Sequence, residues 1–135
     1  MAAHHAARAA RANRAKAAAA AALGRAAEEI ALRFLAAQGL ELLQRNFHRR
    51  VGELDLIARK GDVLIVAEVR TRSSDAYGGG AASVDWRKRQ RIVRTTSLLL
   101  QKHPELASLR VRFDVLVISN IQGDSPHVEW IRHAF

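Results

Sequence analysis

Residues 51–72 read as two strands joined at Gly61, and the acids inside them constrain the fold more than any other feature. Side chains alternate along a strand, so Glu53, Asp55 and Ile57 are expected on one face of the first strand and Leu54 and Leu56 on the other. In the second strand, Glu68 and Arg70 fall with Leu64 and Val66, opposite Val63, Ile65, Ala67 and Val69. A strand that is apolar on both faces belongs in the middle of a sheet covered on both sides. A carboxylate is costly there unless it is paired, hydrogen-bonded or metal-bound, so Glu68 needs a partner.

Gly61 allows a two-residue turn at Lys60-Gly61 or at Gly61-Asp62. The first register sets Asp55 diagonal to Glu68, and the second sets it directly across. Either brings the two Cβ atoms to roughly 5–8 Å on one face. Like charges so placed repel, and a divalent cation with oxygen ligands relieves the repulsion.

The rest of the chain supplies what covers these strands. Leu23, Ala27, Ile30 and Phe34, joined by Ala31 and Leu35, predict an amphipathic helix that stops at Gly39. Glu29 lies between Arg25 and Arg33 as part of an exposed ion ladder. Glu28 borders the buried face, where it reads either as a boundary acid or as a third acid of the site. Residues 40–49 read as a strand, with His48 a surface residue ahead of Arg49 and Arg50.

After the central pair, Ser73 to Gly80 read as a glycine-rich loop beside the same acids. A second helix is expected from Val84 or Asp85, with Ser83 a plausible N-cap, to about Lys102, ahead of Pro104. Ile92, Thr96 and Leu99, with Val93 and Leu100, form its buried side. Arg87, Lys88, Arg89, Arg91 and Arg94 crowd its first half, as phosphate contacts or as a solvated face. Trp86 beside them reads first as an anchor at the core edge and second as a base-stacking residue. Arg112 to Ser119 form a strand in which Phe113, Val115 and Val117 alternate with Asp114, Leu116 and Ile118. Asp114 reads equally as a catalytic acid or as a partner for a nearby arginine. Residues 120–126 turn, and His127 to Ile131 add an edge strand.

Composition narrows the function classes. Of 26 alanines, 14 fall in residues 1–22, which read as a frayed, low-complexity Ala/Arg tail ahead of one domain at 23–135. Five of the 22 basic residues and none of the 13 acids lie in residues 1–27, so the net charge of +9 leaves +4 for residues 28–135. Basic chains favour polyanions, nucleic acid first. The tail is either an arm that seeks such polyanions or a dispensable extension. The chain has no cysteine, which excludes a disulfide frame and a thiolate zinc site. No apolar run approaches a membrane span, and the basic N-terminal stretch lacks the apolar centre of a secretory signal. A soluble cytoplasmic protein is expected.

The order α-β-β-β-α-β, with an aspartate ending one strand and Glu-x-Arg in the next, resembles the PD-(D/E)XK nuclease superfamily. Within it the chain is most similar to the small bacterial YraN family. The residues that carry the resemblance are Gly24-Arg25-x-x-Glu28, Gly52 to Ala58, Glu68-Val69-Arg70-Thr71-Arg72, Tyr77-Gly78, Lys88 and Arg112-Phe113-Asp114-Val115. They span roughly residues 23–118.

The resemblance implies an α/β, restriction-endonuclease-like core, a mixed central sheet flanked by helices. It implies Mg²⁺ or Mn²⁺ held by Asp55, Glu68 and the carbonyl of Val69, with Arg70 and Glu28 completing the catalytic set. Arg87, Lys88, Arg91, Arg94 and Arg72 would contact nucleic acid, DNA before RNA. Arg70 stands where the superfamily has a lysine, and a guanidinium cannot act as a base. Two functions therefore stand open: a metal-dependent endonuclease acting on DNA, branched DNA included, or a non-catalytic nucleic-acid-binding module on the same fold. The sequence does not set the oligomeric state, and a dimer is compatible with it.

Overall fold

A computed structural model describes residues 2–72 and 83–135. The elements are α1 (Ala2–Ala37), β1 (Glu41–Arg49), β2 (Gly52–Lys60), β3 (Val63–Arg72), α2 (Trp86–Lys102), a 3₁₀ turn at Pro104–Leu106, β4 (Arg110–Ser119) and β5 (His127–Ile131). The glycine-rich loop and the Tyr77-Gly78 pair fall outside the described residues.

The five strands lie in sequence order, antiparallel except for β3 and β4, which run parallel. A parallel pair needs a crossover connection, and α2 is carried on it. The sheet is therefore mixed, with one helix on each face. On the α1 face, Ala27, Ala31 and Leu35 meet Leu56, Ile65, Ala67, Leu116 and Ile118. On the α2 face, Ile92 and Leu99 meet Leu64, Val66, Val115 and Val117. β3 and β4 thus alternate as their sequence predicts, apolar on both sides.

Helix ends follow their local chemistry. Gly39 adopts φ +85°, and Leu40 N–H donates back to Leu35 O at 3.1 Å. This is the left-handed stop that glycine permits, with Leu40 and Leu35 packed in one cluster. α2 is capped by Asp85 rather than Ser83: the Asp85 carboxylate accepts from Lys88 N–H at 2.9 Å. That bond and the nearby arginines lower the Asp85 pKa.

Three expectations differ. The N-terminal stretch continues α1 without a break from Ala2, because alanine's helix propensity carries an almost wholly exposed segment. Val93 is exposed; Thr95, one helical turn from Ile92 and Leu99, takes the buried place with its hydroxyl donating to Arg91 O. Trp86 is no core anchor, since 70% of its surface faces solvent. Among the described residues, no helix is long and apolar enough to cross a membrane.

Candidate metal centre and nucleic-acid interface

The β2–β3 turn is Gly61-Asp62, with Lys60 paired to Val63 and Gly61 at φ +61°. This register directs Asp55 at Glu68, yet the ladder stops one step short, at Leu56 paired with Ala67. β2 remains paired with β1 down to Gly52. The sheet therefore forks, with β1 and β2 turning away from β3 together.

The turning-away is visible in both strands. Asn46 adopts φ +51°, and β1 carries a register shift between Leu42 and Gln44. Leu56 packs on the α1 face whereas Leu54 and Phe47 pack on the α2 face. Strict alternation, which would put Leu54 and Leu56 together, breaks at Asp55. Gly52 lets the turned strand approach α2: a Cβ there would lie 3.1 Å from the Thr95 hydroxyl.

Forking leaves a backbone N–H of β3 without its strand partner, and such a group must find another acceptor. Asp55 supplies it, its Oδ2 accepting from Val69 N–H at 2.9 Å. Asp55 and Glu68 line one tightly packed pocket with Leu54, Val66, Ile92 and Phe135. Burial in this apolar setting, together with the Glu68 charge, raises the Asp55 pKa from 3.8 to about 7. The Val69 N–H opposes the rise, while a hydrogen bond to Glu68 and the more distant Glu28 charge add to it. The two acids thus face one pocket. Glu68 itself is 6% exposed. Its Oε1 is met by the Lys88 ammonium from α2 and, at 3.6 Å, by Arg70 Nε.

The other candidate acids are placed differently. Glu28 faces Arg45 at 3.8 Å, and the same arginine meets Glu29 at 3.3 Å, while Glu29 also faces Arg33. Glu53 is exposed and pairs with His48 at 3.1 Å, which leaves His48 a surface residue. Asp114 pairs in register with Ala67 and so lies on the α1 face, across the sheet from Glu68. It is fully buried and satisfied: Arg112 Nε and Nη2, Trp130 Nε1 and His133 N–H donate to it at 2.7–3.1 Å. Its hydrogen bonds hold the Arg112 pKa above the usual range. Of the two readings of Asp114, its four hydrogen bonds favour the arginine partner.

Among the described residues no three or more of His, Cys, Asp and Glu gather as metal ligands. Two carboxylates on one pocket are nonetheless a fitting donor set for Mg²⁺ or Mn²⁺. Mg²⁺ characteristically takes one or two carboxylates and completes its shell with water and phosphate oxygens. A larger cavity, about 330 Å³, lies at the far end of the sheet between Lys60, Val63, Arg112, Trp130 and Arg132. Its cations are already engaged, with Lys60 on Gln38 O, Arg112 on Asp114 and Arg132 stacked on Trp130.

On α2, Arg87, Arg91 and Arg94 recur at four and three residues and are exposed, which aligns them as one stripe. Among the described residues none of the three has an ion-pair partner within 4 Å. Arg89 is bound to its own scaffold, donating to Val84 O at 2.7 Å and lying over Phe135. Arg72 pairs with Glu129 at 3.5 Å. Lys88 carries a feature that reading along the chain misses, since its phosphate-contact assignment says nothing of Glu68. The available signal was a buried Glu68 in need of a cation and a lysine at the start of the covering helix.

The element order and the forked central pair define an α/β protein with a restriction-endonuclease-like core. Residues 27–118 match the model of the uncharacterised protein family UPF0102, the YraN family, and the chain belongs to that family. It is 49% identical over 112 residues to a UPF0102 protein of Xanthomonas euvesicatoria pv. vesicatoria, covering 83% of this chain and 89% of that one. A UPF0102 protein of Legionella pneumophila subsp. pneumophila is 41% identical over 112 residues, covering 83% and 92%.

Proposed function

We propose that this protein is a metal-dependent endonuclease of the cytoplasm that hydrolyses phosphodiester bonds in DNA, branched DNA included. The observation that carries the reading is the meeting of Asp55 and Glu68 at the fork between β2 and β3. Two buried acids held together cost stability, and a site that must gather positive charge gives that cost a purpose.

Asp55 and Glu68 would hold the ion, with the Val69 carbonyl as a third protein oxygen. The ion, Mg²⁺ or Mn²⁺, supplies Lewis-acid activation of water and neutralises charge on the leaving oxygen. Val69 N–H fixes the Asp55 carboxylate in place, and the apolar walls exclude bulk water. Arg70 adds a fixed positive charge toward the phosphate, which it can do without giving up a proton. Glu28, near enough to act on Asp55 electrostatically, completes the set as the acid that receives a proton from the attacking water. The Arg87, Arg91 and Arg94 stripe carries the DNA backbone, and exposed Trp86 offers a face on which an unpaired base stacks.

The test is a panel of linear, nicked, single-stranded and four-way-junction DNA with Mg²⁺ or Mn²⁺. Cleavage by the wild type that falls at least about a hundredfold in Asp55→Asn supports the reading. No cleavage of any substrate, with tight binding retained in Asp55→Asn, would replace it with the second reading, a DNA-binding module. The observation favouring that second reading is Arg70 in the lysine position of the superfamily pattern.

A further inference from the structure

Glu68 is gripped from two directions, and the two cations are not equivalent. Arg70 lies two residues along the same strand, its Nε 3.6 Å from Oε1 and, among the described residues, buried without a hydrogen-bond partner. Lys88 reaches the same oxygen from α2 and makes the closer contact. Its backbone is pinned by the Asp85 cap, whereas its ammonium sits at the end of a flexible four-carbon stem. It also stands beside Arg87 and Trp86, at the end of the helix that presents the exposed arginine stripe. Of the two cations, only Lys88 joins the acid pair to the DNA-facing helix.

We propose that Lys88 is the working ammonium of this site. It is the counter-ion of Glu68 in the free protein and, once a divalent cation takes that carboxylate, it turns to the substrate phosphate. The inference rests on the reading of Asp55 and Glu68 as a cation site. Its physical basis is electrostatic competition: an ammonium on Glu68 Oε1 repels a second positive charge brought to the same carboxylate, so a divalent ion binds more easily as the ammonium moves off. The released charge, held in a low-dielectric cleft beside a cation, then favours the nearest anion, which is the phosphate. Arg70 is the weaker competitor, its Nε standing 3.6 Å from the same oxygen, and it comes from the strand that carries Glu68 rather than from α2.

Two consequences run in opposite directions, which a merely structural lysine would not produce. In the full chain, Lys88→Met removes the competitor and tightens Mn²⁺ binding, read by electron paramagnetic resonance, by about tenfold. The same variant lowers Mn²⁺-dependent DNA cleavage by about a hundredfold or more. Lys88→Gln gives the same pair of shifts and stands in if the methionine variant does not fold. Lys88→Arg keeps a cation on Glu68, so its Mn²⁺ affinity stays at the wild-type level. Unchanged Mn²⁺ affinity in both neutral variants overturns the inference and leaves the Asp55 and Glu68 site standing. Tightened Mn²⁺ binding with undiminished cleavage also overturns it, since Lys88 is then a counter-ion alone. A wild type that binds no Mn²⁺, or binds it and cleaves nothing, defeats the endonuclease reading and this inference with it.

Discussion

Replacing Asp55 by Asn should stabilise the metal-free protein at neutral and alkaline pH while destroying the site. Asp55 keeps its proton to about pH 7 in the folded protein, against 3.8 when unfolded. Because the folded-state pKa is raised, its contribution to stability is fully present below pH 3.8. That contribution is lost as pH climbs from there through about 7. At ~1.4 kcal/mol per pH unit, a rise of about three units costs up to about 4 kcal/mol by pH 8. Asn has no proton to lose, so the stability difference between variant and wild type should widen in the variant's favour by about 2–4 kcal/mol from pH 4 to pH 8. Urea unfolding of both proteins across that range measures it, and taking the difference cancels the titrating groups remote from Asp55. Mn²⁺ at a hundred times its Kd should then return about 2.7 kcal/mol to the wild type and nothing to the variant. A difference that is flat with pH would refute the argument that burial and Glu68 hold the proton on Asp55.

Three further outcomes follow from the same geometry. Asp114→Ala removes a fully buried acceptor of four hydrogen bonds, leaving Trp130 Nε1 and His133 N–H without it, and should cost about 2–4 kcal/mol in urea unfolding, with unchanged Mn²⁺ affinity in the folded protein. Arg87→Ala with Arg91→Ala should weaken DNA binding for all sequences alike and flatten the slope of log K against log salt by about 2; an unchanged slope would make the stripe a solvated face. Arg70→Lys should maintain or raise Mn²⁺-dependent cleavage if the site is catalytic but limited by the missing lysine, and should instead weaken DNA binding and lower any cleavage if Arg70 is used as a phosphate clamp.

Much of this was legible in the sequence, for identifiable reasons. β3 and β4 are buried on both sides and regular, so alternation alone divided Leu64 and Val66, and Val115 and Val117, from their neighbours, and the structure lays those four against α2 and the neighbours against α1. The second of the two turn registers, with Asp55 directed at Glu68, is the one observed. What alternation cannot show is where a strand stops being regular. The fork depends on the left-handed Asn46, the shift near Leu43 and the early end of the β2–β3 ladder, none of which leaves a mark in the apolar pattern. Lys88 meeting Glu68 and Asp114 gathering Arg112, Trp130 and His133 are contacts between separate elements, set by side-chain reach rather than by spacing along the chain. Alanine misled in the other direction, since it sustains α1 from Ala2 although the side chains of that stretch are almost all exposed.

The most direct test of the central claim is anomalous diffraction from crystals of the full chain soaked in Mn²⁺. The account predicts a peak bridging the Asp55 and Glu68 carboxylates at ion–oxygen distances of about 2.0–2.3 Å, with the Lys88 ammonium drawn off Glu68. A well-diffracting soaked crystal with no peak there, and with Lys88 still on Glu68, would contradict it.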